Sequence, residues 1–175
     1  MKKKLLILLC VAVSIVASAQ ETSFGIRAGI NVSNLDIDPY PTVENGHRNG
    51  YFFGGFVNWR LSDQSALLTE LQYSQEGAKA EALHGDYIQM PLMFKFQVTP
   101  GVSVGAGAMP AVKTWGFEDG FSTFTFSGIA GVEYLFSDML FVDARLHYGL
   151  TSVFDEKSAN DATNVTLQFG IGIKI

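Results

Sequence analysis

The sequence predicts an all-β fold: an eight-stranded antiparallel up-and-down transmembrane β-barrel, preceded by a cleaved signal peptide. Three observations predict it. The chain beyond its N-terminal segment keeps returning to alternation with a period of two, the mark of strands rather than helices. Its connections alternate between tight turns and long polar loops. One strand face is apolar and free of charge, while the other mixes charges with glycine.

The N-terminal segment comes first. Lys2, Lys3 and Lys4 form a basic region, Leu5 to Val16 an apolar one, and Ala17-Ser18-Ala19 a small-residue cleavage site. This is the layout of a secretory signal peptide, residues 1–19, with cleavage before Gln20, leaving 20–175 as one barrel domain. The apolar run is too short for a spanning helix, which needs about 20 residues. Cys10 is the only cysteine, and Leu9 before it argues against lipidation. Its loss with the signal leaves no thiol, so disulfides, cysteine-ligated metals and thiol catalysis are excluded. Taking the three signal lysines from the 12 Lys+Arg leaves 9 against 17 Asp+Glu, a net charge near −8. So acidic a surface speaks against a nucleic-acid partner.

The strands follow in order. Residues 24–32 set Phe24, Ile26, Ala28, Ile30 and Val32 against Gly25, Arg27, Gly29 and Asn31; residues 51–61 set Tyr51, Phe53, Val57, Trp59 and Leu61 against Gly54, Asn58 and Arg60. A third strand, 65–76, sets Leu71 and Tyr73 against Glu70, Gln72, Ser74 and Glu76. The fourth, 87–98, has Ile88, Met90, Leu92, Phe94, Phe96 and Val98 opposite Gln89, Lys95 and Gln97. The fifth, 102–114, is small and glycine-rich, with Lys113 on its polar face. The sixth, 123–136, carries Glu133 and Ser127 on the polar face, the seventh, 140–151, Asp143, Arg145 and His147, and the eighth, 164–175, Gln168, Gly170, Gly172 and Lys174. "SDQS", "TPG" and "SDM" read as tight turns. Between them lie longer loops at about 33–49, 77–86, 115–122 and 152–163, the layout of an outer-membrane barrel.

The polar face decides which way the wall points. Glycines on a water-facing wall would weaken strands for no return. Inside a narrow eight-stranded barrel they make room for long charged side chains. The polar face is therefore read as a lumen network of Arg27, Arg60, Glu70, Glu76, Lys95, Lys113, Glu133, Asp143, Arg145 and Lys174, and the apolar face as lipid-facing. A soluble barrel of the lipocalin kind is the alternative. In "QFGIGIKI", Gly170, Ile173 and Ile175 match the C-terminal pattern by which outer-membrane barrels are recognised for assembly, although an aromatic residue is commoner in the last position.

"FGIRAGINVSNL", "ELQYSQEGAK", "YIQMPLMFKF", "VDARLHYGLT" and "LQFGIGIKI" together resemble the outer-membrane protein β-barrel domain family, also described as "porin family" or PorT-like, over about residues 22–175. The resemblance implies an eight-stranded barrel in a Gram-negative outer membrane. It supplies no functional residue.

No catalytic constellation emerges from the spacing. Glu70 and Glu76 lie six residues apart on one strand, roughly 20 Å, whereas glycosidase carboxyls sit within about 5–10 Å. Glu70 is expected to pair with Arg60 or Lys95, and Glu76, near the loop end, with water. Asp143 and His147, with Ser127, suggest hydrolase parts, but four strand residues separate them by roughly 13 Å. The loops are acidic (Asp36, Asp38, Glu44, Glu118, Asp119, Asp155, Glu156, Asp161), yet "NLDIDP" lacks the full spacing of a calcium loop. Trp59, Phe136, Tyr73, Tyr87 and Tyr148 fall near strand ends, as interface girdles do. The expectation is a non-enzymatic outer-membrane protein with no cofactor and no metal. Its role is structural, or recognition at the surface through its loops. A secretion-accessory barrel and a narrow small-solute channel are alternatives, and a lipid-modifying enzyme acting through His147 is a distant one. Expected partners are outer-membrane lipid and lipopolysaccharide, the barrel-assembly machinery, and surface or secretion partners of the loops.

Overall fold

The computed structural model describes residues 22–38, 46–114, 120–155 and 161–175. The proposed signal peptide, Cys10, and loop residues including Glu44, Glu118, Asp119 and Glu156 lie outside the described residues.

Among the described residues nine strands build the wall: β1 (Thr22–Asp38), β2 (Arg48–Arg60), β3 (Ser65–Gly77), β4 (His84–Gln89), β5 (Leu92–Thr99), β6 (Val102–Lys113), β7 (Phe124–Leu135), β8 (Leu140–Gly149) and β9 (Asp161–Lys174). Each pairs antiparallel with its neighbours, and β1 closes onto β9 from Gly25↔Lys174 to Asp38↔Asp161. β4 and β5 occupy one wall position between β3 and β6, so the barrel has eight. The fourth strand read from the sequence as 87–98 is thus broken at Met90-Pro91. Pro91 has no N–H to donate to the ladder, although its carbonyl still accepts from the Glu70 N–H at 3.0 Å.

The turns follow the residues that build them. Ser62 and Ser65 close the β2–β3 turn, with the Leu61 N–H donating to the Ser65 carbonyl at 2.9 Å. Gly101 takes φ 86° between β5 and β6, a left-handed conformation that glycine adopts without strain. At the opposite end the strands run further than expected. β1 continues to Asp38, β4 begins at His84 and β9 at Asp161, all inside segments read as loops. Leu35, Ile37, Ala78, Val153 and Ala162 pack there as a buried cluster under the loops.

Alternation assigns the faces. Phe24, Ile26, Ile30, Tyr51, Phe53, Leu71, Phe94, Leu146 and Ile171 are exposed, whereas Arg27, Asn31, Glu70, Gln72 and Gln168 on intervening positions are buried. Thirty large hydrophobic side chains are exposed among the described residues. Scattered singly such residues would be ordinary on a water-soluble surface, but here they form the continuous outer face of every strand, an apolar belt of the kind that faces lipid.

The lumen also contains an apolar cluster: Phe56, Leu68, Met93, Met109, Ile129 and Phe141, with Phe56 and Phe141 edge to face at 5.6 Å. Phe52 is buried as well. Tyr87 corrects the girdle expectation. It points inward and is buried, as its place beside the outward Ile88 requires.

Candidate functional site

The lumen holds the concentrated chemistry of this protein. Its centre is a four-membered ion cluster. Arg27 donates from Nε and Nη2 to the two Asp143 oxygens at 3.0 and 2.5 Å, and from Nη1 to Glu70 Oε1 at 3.0 Å. Arg145 donates to Glu70 Oε2 at 2.7 Å and stands 3.4 Å from Asp143. Two cations thus face two carboxylates, all four side chains are almost wholly buried, and the charges cancel. Removal from water costs several kcal/mol per ion, so this cancellation is what makes the cluster tolerable.

Glycine makes the cluster possible. Arg27 is flanked in the wall by Gly54 and Gly172, Asp143 by Gly170, and Arg145 by Gly131. A Cβ on Gly170 would come within 2.8 Å of Arg27 Nη2 and 3.0 Å of Asp143 Oδ2. Gly172 leaves space in the same way for the Phe141 ring. The small neighbours let long side chains lie across the lumen.

Two hydrogen-bonded routes lead from Arg27 toward the loop end. One passes through Gln72, which accepts at 3.1 Å and donates to Gln89 at 2.6 Å, and on to Glu76 at 2.7 Å. The other passes through Gln168 (2.8 Å), Asn31 (2.9 Å) and Ser74 (2.9 Å), which donates to Glu76 at 3.0 Å. Asn164 also donates to Glu76. His147 Nδ1 lies 3.7 Å from Glu76, and neither imidazole nitrogen makes a hydrogen bond. Toward the turn end, Lys95 and Lys174 both donate to Glu133, each at 2.6 Å.

The expected pairings need correcting. Glu70 meets Arg27 and Arg145, not Arg60 or Lys95. The tight β2–β3 turn fixes Arg60 opposite Ala66, and Ala66 also faces Lys95; Glu70 sits opposite Phe56, four residues further along, roughly 13 Å. Arg60 instead reaches the rim and donates to Asp63 at 3.2 Å. Lys113 is buried near the loop end with its ammonium 4.5 Å from the Phe121 ring centroid. Glu76, expected to meet water, is held by three neutral donors. Asp143 is held by Arg27 and Arg145, and its separation from His147 agrees with the strand spacing. Of the assembly residues, Gly170 faces the lumen pair, and Ile173 and Ile175 point outward. Asn31, Gln72, Gln89 and Gln168 lie inward as the alternation assigns them, but the bonds that link them into routes obey no sequence pattern. The lumen phenylalanines are not anticipated by the sequence analysis, although their inward parity was the available signal.

A closed barrel with an apolar belt and a filled polar lumen defines an integral outer-membrane β-barrel protein. The sequence agrees: residues 5–174 match the outer membrane protein beta-barrel domain family, and the chain belongs to it. Neisserial surface protein A superposes with a TM-score of 0.58 at 16% identity, over 89% of this chain and 100% of that one. Ail, the attachment invasion locus protein of Yersinia pestis, superposes with a TM-score of 0.55 at 17% identity over the same shares. A structure of Ail in complex with the heparin analogue sucrose octasulfate gives 0.54 and 18%, again with 89% and 100% covered. At these identities the likeness is one of fold. No curated protein matches the chain in sequence.

Proposed function

We propose that this protein is a non-enzymatic barrel whose role is recognition at the cell surface through the loops that its wall carries beyond the membrane. The observation that supports this most is the packed end. β1 and β9 remain paired out to Asp38↔Asp161, His47 bridges Ala78, Phe121 bridges Phe154, and the Leu35–Val153 cluster fills the space beneath. A platform already ordered before binding loses less entropy when a partner arrives. Asp36, Asp38, Asp155 and Asp161 lie on or beside it, so the favoured partner is a cationic surface rather than a sulfated ligand such as the sucrose octasulfate in the Ail complex. Lipopolysaccharide surrounds this end in the membrane, and the assembly machinery reads the closing strand. The middle of the lumen supports neither chemistry nor conduction in this reading, since the charges of its central cluster cancel and the side chains of Arg27, Phe52, Phe56 and Phe141 lie buried there.

The test compares cells displaying the intact protein with cells in which residues 39–45 and 156–160 are replaced by Gly-Ser linkers, a change that keeps the β1–β9 pairs and the Leu35 cluster. Adhesion to polycationic and to heparin-coated surfaces is measured, together with planar-bilayer conductance. Loop-dependent adhesion to the polycation, with no unitary conductance, is expected. Adhesion indifferent to the loops, or steady ion current through the intact barrel, would refute the reading.

A further inference from the structure

The turn end of the lumen opens into a polar cavity of about 230 Å³, lined among others by Asn58, Arg60, Lys95, Ser103, Glu133 and Lys174. Its charges do not cancel as those of the central cluster do. Arg60 is answered by Asp63 on the solvent-exposed rim. Deeper in, two ammonium groups share the single carboxylate of Glu133, each at 2.6 Å, with side-chain exposures of 10% for Lys95 and 18% for Lys174. One positive charge is left over in a poorly hydrated place. A charge there is costly unless something opposite sits beside it.

Unused hydrogen-bonding groups coincide with that excess. An ammonium group carries three N–H donors. Those of Lys95 and Lys174 find only Glu133 as an acceptor among the described residues, with Lys174 also 5.0 Å above the Phe141 ring. Ser103 adds a hydroxyl to the same wall. Asn58 contributes the complementary element, a buried Oδ1 with no hydrogen-bond partner. A ligand that satisfies all of them is an oxyanion bearing an N–H or O–H donor close to its charge.

We infer that this cavity is a binding site for a small oxyanion, a carboxylate or phosphate that carries a hydrogen-bond donor, with Lys95 and Lys174 holding the charge and Asn58 accepting from the donor. In barrels of this class the short turns face the periplasm, so the ligand arrives from that side. Two sources share the chemistry: the carboxyl end of a peptide, with its amide N–H, and a monoprotonated phosphate. The site is independent of the loop platform, and its test does not involve the loops.

The experiment uses the folded full-length protein in detergent micelles with lysine side chains isotope-labelled and observed by NMR. Inorganic phosphate and N-acetylalanine are titrated separately to 20 mM, each against sodium chloride at matched ionic strength. Saturable shifts of the Lys95 and Lys174 signals are expected with at least one probe, while Lys113 at the far end stays still. Phosphate alone would point to phosphate groups, N-acetylalanine alone to peptide ends, and both to the shared oxyanion chemistry. Lys174→Gln should weaken the apparent affinity at least tenfold, and Asn58→Leu several-fold. Retained anomalous migration of unboiled samples reports that each variant folds. The inference fails if the lysine signals do not move, move linearly without saturation, or move equally with chloride. It also fails if a folded Lys174→Gln protein binds as before. If that variant does not fold, the contrast between Lys95 and Lys113 in the unmodified protein decides the matter alone.

Discussion

Replacing Arg27 by methionine should be among the most damaging single changes in the lumen. The substitution keeps most of the side chain's length and removes five hydrogen bonds: two to Asp143, and one each to Glu70, Gln72 and Gln168. Arg145 alone would then face both carboxylates, leaving one negative charge unbalanced where side-chain exposure is at most 1%. Breaking a buried pair in this way costs about 3–5 kcal/mol. With a urea dependence near 2 kcal/mol/M, the unfolding midpoint should fall by roughly 1.5–2.5 M. Asp143→Asn in the same protein restores the charge balance of Arg145 with Glu70. The double variant should therefore be more stable than the two separate losses predict, by about 1–3 kcal/mol, as expected for residues in one network. The assay is urea unfolding in lipid vesicles, followed by tryptophan fluorescence and by mobility of unboiled samples. A loss below about 1 kcal/mol for Arg27→Met, or strictly additive losses, would refute the view that charge cancellation holds the lumen.

Three further outcomes follow from the two faces and the capped end. Leu71→Arg places a charge on a lipid-facing residue that is 61% exposed; it should cost about 2–4 kcal/mol in vesicles, whereas a water-facing wall would tolerate it, and the same vesicle unfolding assay separates the two. Gly170→Ala should cost roughly 1–3 kcal/mol by overpacking, since its Cβ would meet Arg27 and Asp143 at about 3 Å, while Gly128→Ala, with nothing nearer than 3.9 Å, should stay within about 0.5 kcal/mol of the parent. Leu35→Ala empties a site that is 1% exposed beneath the loops. Limited proteolysis should cut its loops faster, while unboiled mobility shows the membrane-spanning wall intact.

The wall was legible in the sequence because its rule is local. Alternation fixes each side chain to one of two faces, and tight turns fix the register between neighbours. The lumen contacts obey no local rule. Arg27 and Glu70 are 43 positions apart and sit on strands that are not paired, and Arg145 reaches Glu70 across 75 positions. A reading confined to wall neighbours therefore offered Glu70 the cations of adjacent strands and missed those opposite. Tyr87 was misread by composition, its aromatic character outweighing its parity. Phe52, Phe56 and Phe141 were missed for a related reason: hydrophobic residues were assigned to lipid, although a barrel too narrow for water also fills its interior with them.

Glycine placement joins these observations to function. On β9, Gly170 and Gly172 sit beside Asp143, Arg27 and Phe141. On β7, Gly131 sits beside Arg145, and on β6, Gly105 beside Lys95. Each glycine weakens its own strand slightly and lets one long neighbour cross the lumen. The same residues that make the strands poor candidates for a water-facing sheet thus close the middle of the barrel. A closed middle separates the two ends chemically: the loop end has its own apolar cluster and acidic rim, and the turn end has an unbalanced pair of lysines. Arg27, bound to both Asp143 and Glu70, lies between them. The loop-end proposal and the turn-end proposal can therefore be tested by substitutions at separate sets of residues.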